Sequence, residues 1–267
     1  MGHLRTGNIP KTRKWRDVVF SISSLSGIGD IPYDEIAEKT LEASNQFLRR
    51  LPYDEAFQCC FQFLVTLSIA GRDQDVGKSA KNFGINIEGE PTKIKLSKAL
   101  RDWIDANHPK SYDSEIASLA RQATADTIAS WINENSSANQ LSLFSVEEDP
   151  YRPWRVSSKG DGFCKLTRSF FSNFTSRYLN FFLSRAANSN LKTYDERRKF
   201  NDAINKNSEK VAQHAFETTK LVQSFSAGWF NKQSKKESAP SFHDIRGFLI
   251  HSFEKLREEF RIQKEGQ

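Results

Sequence analysis

The stretch that constrains this chain most is residues 161–185, DGFCKLTRSFFSNFTSRYLNFFLSR, the most aromatic and one of the most basic parts of the molecule. Phe163, Leu166, Phe170, Phe174, Tyr178 and Phe181 recur every three or four residues. At about 100° per residue they share one side of a helix. Phe171, Leu179, Phe182 and Leu183 spread apolar character around most of the remaining circumference, so the helix must be enclosed by several others. Arg177 and Arg185 interrupt the Phe face. Each guanidinium has to be paired, to reach out to water along its stem, or to face a ligand or a partner chain.

Helical periodicity continues on both sides. Residues 51–70 turn Ala56, Phe57, Cys60, Phe61, Leu64 and Val65 inward, and residues 93–107 and 114–132 repeat the pattern around Trp103 and Trp131. Asp30 and Pro32 mark another helix start, and Pro-Tyr-Asp-Glu occurs at both 32–35 and 52–55. A long helix is expected from Tyr194 to about Phe225, with Ile204, Val211, Thr218 and Phe225 spaced by seven, packing antiparallel on the Phe-rich helix. Ser241 and Asp244 form a capping box for a last helix lined by Phe242, Ile245, Leu249, Phe253, Leu256 and Phe260.

Between these segments, residues 1–19 read as a solvated lead-in with Lys11, Arg13, Lys14 and Arg16 around Trp15, and residues 71–91 as a loop with at most a short helix. Residues 133–140 are polar enough for a linker. No stretch alternates as a strand would. The expectation is an all-α, irregular multi-helix bundle in two packed layers. Its N-terminal helical region is 1–140 and its basic, aromatic-rich region 141–267, with a single shared core as the other arrangement the sequence allows.

Twenty-one Phe and five Trp against one Met imply a core of large flat side chains. Three Cys, two of them adjacent, offer neither a disulfide framework nor a zinc motif and read as buried thiols in a reducing compartment. The most hydrophobic run, 56–70, is short and contains Gln58 and Gln62, so it is a core helix and not a membrane span. The N-terminus carries charge without the apolar segment of a signal peptide, and a cytoplasmic location without membrane contact is expected.

Charge is unevenly placed. Lys and Arg number 17 against 21 Asp and Glu over residues 1–150, a net of −4, and 22 against 12 over residues 151–267, a net of +10. The C-terminal half is therefore the candidate for touching a polyanion, DNA or RNA, through phosphate contacts. The first residues to consider are Arg152, Arg155, Lys165, Arg168 and Arg177, then Arg197, Arg198 and Lys199. The segment DPYRPWR at 149–155 reads either as a rigid lid over the core or as a partner-binding element. A protein partner or an oligomer is the alternative use of the same half.

Enzyme chemistry finds little support. The chain lacks GxSxG, P-loop and kinase patterns, and GRDQD at 71–75 lacks the remaining ligands of a calcium loop. His214, Glu217, His243 and His251 have no diagnostic metal spacing, so neither a metal nor a cofactor is expected. Cys164 sits in aromatic surroundings that suit an inert thiol.

The spacing Arg246-x4-His251 resembles the RxxxxH signature of HEPN-type helical ribonucleases over six residues, and Arg101-x6-His108 gives a looser version. The resemblance implies metal-independent RNA cleavage near a dimer interface, with Arg246 and His251 as the catalytic pair. Five steps of about 100° set these two roughly 140° apart on one helix, so a second subunit or a helix distortion would have to bring them together. The leading expectation is a non-catalytic helical subunit contacting nucleic acid or a partner protein through its basic half, with this ribonuclease as the alternative.

Overall fold

A computed structural model of the protein describes residues 12–24, 39–40, 42–43, 49–108, 114–136, 149–191, 193–217, 220–236 and 238–265. Within its helices, the side chains of 22–24, 184–190, 204, 207–208, 210–217, 220–224 and 255–265 fall outside that description. Among the described residues there are helices and turns and no strand, and the protein is an all-α, multi-helix bundle. The helices are α1 Arg13–Ser24, α2 Glu55–Ala70, α3 Val76–Asn82, α4 Lys93–Asn107, α5 Glu115–Asn135, α6 Arg152–Ser157, α7 Gly160–Asn190, α8 Tyr194–Glu217, α9 Lys220–Gln233 and α10 Phe242–Glu265. A 3-10 turn, Leu51–Tyr53, precedes α2.

Local chemistry places the helix starts. Asp54 accepts the Phe57 N–H at 2.9 Å and starts α2 at Glu55, after Pro52 has committed 51–53 to the separate 3-10 turn, so the expected 51–70 helix is divided. Asp75, Thr92 and Ser114 cap α3, α4 and α5 in the same way. At α10 the capping box closes, with Asp244 N–H donating to Ser241 Oγ and Ser241 N–H to Asp244 Oδ2, both at 3.2 Å.

Two helices form the axes of the packing. In α2, every residue except Glu55 is buried, which is how a helix apolar on all sides resolves. Phe57 meets Phe174 edge-on at 4.6 Å and Phe170 at 5.2 Å, and Phe61 stacks on Phe248 at 5.4 Å, joining α2 to α7 and α10. Phe163 stacks on Phe230 at 4.3 Å and joins α7 to α9. Helices α2 to α6 and helices α7 to α10 make two packed layers, and buried side chains from Trp15 to Phe253 form a continuous cluster across them.

Two sequence expectations meet a different structure. Residues 13–19, read as a solvated lead-in, belong to α1, because Trp15 and Val18 are buried and Trp15 packs on Phe182 of α7 at 5.8 Å. Within residues 141–160, whose sequence reads as irregular, 152–157 form α6, opened by Pro153 in its first turn. Where a single helix is expected from Tyr194 to about Phe225, the structure describes α8, Tyr194–Glu217, and α9, Lys220–Gln233, with residues 218 and 219 outside the described residues. The side chains of Ile204, Val211 and Thr218 in the seven-residue repeat lie outside the described residues. So does the helix start assigned to Asp30 and Pro32.

Among the described residues, no helix is long and apolar enough to cross a membrane.

Candidate nucleic-acid interface

The eight basic residues singled out from the sequence lie on α6, α7 and α8 and meet different partners. Arg155 lies in α6 and acts inward: its Nη1 and Nη2 donate to the carbonyls of Asp73 and Gln74, each at 2.7 Å, and its Nε to Asp149 at 2.8 Å. Those carbonyls belong to the turn after α2, where helical hydrogen bonding has ended and acceptors are left open. Arg177 pairs with Asp126 of α5 and donates to Gln122 Oε1 at 2.7 Å, which settles how a guanidinium sits beside the Phe-rich face. Arg197 donates from Nε to Leu191 O at 2.9 Å and ties the start of α8 to the α7–α8 connection.

Arg198 and Lys199 sit together on the exposed first turns of α8 and share Asp195, at 2.6 and 3.1 Å. The two cations hold the Asp195 carboxyl below the ordinary range by hydrogen bonding. Arg152 and Arg168 are half-buried and engaged. Lys165 is exposed on α7, three residues before Arg168, and makes no ion pair among the described residues.

The DPYRPWR segment is a docked element. Trp154 is fully buried, and the indole N–H of Trp131 donates to Pro153 O at 2.8 Å. The segment lies so close to the end of α2 that a Cβ on Gly71 would overlap Trp154 O. Tyr151 reaches across to Gly89, its hydroxyl donating to the carbonyl at 3.3 Å. Burial and then the charges of Asp75 and Asp149 push its hydroxyl pKa up.

Arg72, which the sequence reading left aside, completes this junction from the other side. Its Nε donates to Ser158 O at 3.1 Å, its Nη2 to Asn231 Oδ1, and its guanidinium lies 5.0 Å from the Phe230 ring centre. One side chain thereby joins the end of α2, the α6–α7 turn and the end of α9. The lysines next to its two partners, Lys159 and Lys232, are exposed, as is Lys235 just beyond α9, and none of the three is in an ion pair among the described residues. Lysine counts alone could not have found this group, because Lys159 and Lys232 adjoin residues that are linked only through the Arg72 bridge.

Arg246 and His251 of the ribonuclease resemblance both lie on α10 and meet different neighbours. The Arg246 guanidinium is over the ring of Tyr53, 6.0 Å from its centre, whereas the His251 ring rests on Phe225 at 4.0 Å. His108 sits between Trp103 and Phe242, and burial lowers its pKa against the opposing charge of Glu55.

The cysteines are buried free thiols, and burial pushes that of Cys60 up to about 12. Among the described residues, no group of three or more His, Cys, Asp or Glu side chains is placed to hold a metal ion. No protein-family model, no curated protein and no solved structure matches this chain.

Proposed function

We propose that this protein is a non-catalytic helical subunit, acting in a reducing cytoplasm, whose C-terminal half contacts nucleic acid. The observation that carries the reading is the lysine group around the Arg72 junction. Lys159, Lys232 and Lys235 are exposed and, among the described residues, without carboxylate partners, in the half of the chain with a net charge of +10. An ammonium on a flexible stem, held near others by a rigid helix junction, suits phosphate contact without base specificity. The three buried free thiols support the reducing location. A protein partner is the other occupant of this half.

Fluorescence anisotropy with a labelled oligonucleotide over a salt series tests the proposal. Binding should weaken with salt, and the triple variant Lys159→Gln, Lys232→Gln, Lys235→Gln should lose about tenfold or more in affinity while the salt slope falls by roughly 2 to 3. Salt-independent binding, or a triple variant that binds as the parent does, points to the protein partner instead. Cleavage of an RNA probe that disappears in His251→Ala would replace this reading with the ribonuclease.

A further inference from the structure

The stretch from Asn231 to Arg246 runs back along α2, and three cross-contacts mark its course. Asn231 meets Arg72 just past the C-terminal end of α2. Pro240 O accepts from Gln62 Nε2 at 2.6 Å near its middle. Arg246 stacks over Tyr53 just before its start. The sixteen residues of α2 span about 24 Å at 1.5 Å per residue, so these contacts line up along a path of at least that length.

The Tyr53 end of that path is chemically distinct. Tyr53 is 60% exposed, unusual for a large ring in a molecule that buries eleven large aromatic side chains almost completely. Arg246 lies over it, and Arg49 and Arg50 are exposed immediately before the 3-10 turn. Among the described residues, none of these three arginines is in an ion pair. Of the carboxylates near them in sequence, Asp54 caps α2, and Asp244 is bound by Lys236 and Ser241.

We infer that this path is a binding track for single-stranded nucleic acid. The inference rests on the proposed nucleic-acid function and specifies its ligand. Phosphates run along Lys232, Lys235, Arg246, Arg50 and Arg49, while an unpaired base stacks at the Tyr53 ring, whose orientation Arg246 holds. A duplex offers no free base face to an exposed ring, whereas a single strand offers one at every nucleotide, and ring stacking tolerates any sequence. The track accommodates roughly four nucleotides, the lower end of the site sizes used by sequence-tolerant single-strand binders.

The test compares a fluorescein-labelled oligothymidylate of about 20 nucleotides with a duplex of the same length, using the full chain and exposed-site variants checked by circular dichroism. The inference predicts that the single strand binds at least about fivefold more tightly than the duplex. Tyr53→Ala should lower single-strand affinity by a similar factor and Tyr53→Phe, which keeps the ring, by less than about twofold. Arg246→Gln should cut affinity about threefold and reduce the salt slope by about 1. Equal binding of both probes with Tyr53→Ala unchanged overturns the single-strand track and leaves the polyanion reading standing. Binding of neither probe overturns both. Should Tyr53→Ala fail to fold, Arg246→Gln decides: parental affinity and salt slope in that variant overturn the track.

Discussion

At the C-terminal end of α2, arginine is structural: Arg72 bridges Ser158 O and Asn231, and Arg155 closes on the carbonyls of Asp73 and Gln74. At the N-terminal end the same residue type is left over. Arg49, Arg50 and Arg246 face solvent around an exposed Tyr53, and no carboxylate among the described residues pairs with them. The difference follows from what each end offers. A helix C-terminus leaves carbonyls that a five-donor guanidinium can satisfy, whereas a helix N-terminus leaves N–H groups, which here Asp54 already meets. Arginines placed beside donors find no acceptor and remain free for an external anion.

This contrast can be probed by removing its parts, starting with the helix that joins the two ends. Phe57 touches Phe170, Phe174 and Phe253, so Phe57→Ala should destabilise the protein by about 3–5 kcal/mol, measured by chemical denaturation. A loss below about 1 kcal/mol would mean that α2 is not a packing axis. Arg155→Ala removes two charge-assisted bonds to backbone carbonyls and one to Asp149, and a cost of about 1.5–3 kcal/mol is expected.

Asp244→Ala removes the carboxylate half of the α10 capping box, which accepts from the Ser241 N–H and hydroxyl, and should cost about 0.5–1.5 kcal/mol. Burial by itself would raise the Asp244 pKa, but hydrogen bonds from Ser241, Lys236 and Gln233 outweigh it and hold the carboxyl at about 2. Because the folded value lies below the unfolded one, this contribution is complete above about pH 4. It is lost as pH falls toward 2, so the gap between parent and variant should close over that window. A gap that persists at pH 2 would remove the carboxylate from the explanation. The smallest effect is expected for Arg198→Gln, within about 0.5 kcal/mol in a thermal melt, because its partners Asp195 and Asp202 are exposed with it.

How much of this was legible beforehand divides along the same line. Period alone located the interior faces of α2, α4, α5, α7 and α10, since Phe57, Trp103, Trp131, Phe170 and Leu249 each belong to a series at helical spacing and are all buried. The anomaly of Arg177 was visible as a charge on an apolar face, but its partner Asp126 lies 51 residues away and no local pattern points to it. Arg155 was counted as a binding residue because its destination, two carbonyls on a turn 81 and 82 residues earlier, leaves no trace in side-chain identity. Tyr53 was passed over for the complementary reason. Its place in a Pro-Tyr-Asp-Glu helix start accounts for it locally, and only the return of α10 brings Arg246 over its ring.

The division of arginines into structural and available is tested most directly by measuring two quantities on two variants, thermal midpoint and single-strand affinity for Arg155→Ala and Arg246→Gln. A crossed outcome is predicted: Arg155→Ala melts several degrees lower and binds as the parent does, while Arg246→Gln keeps its midpoint and binds about threefold more weakly. Arg155→Ala losing affinity at an unchanged midpoint, or Arg246→Gln losing stability with affinity intact, would contradict it.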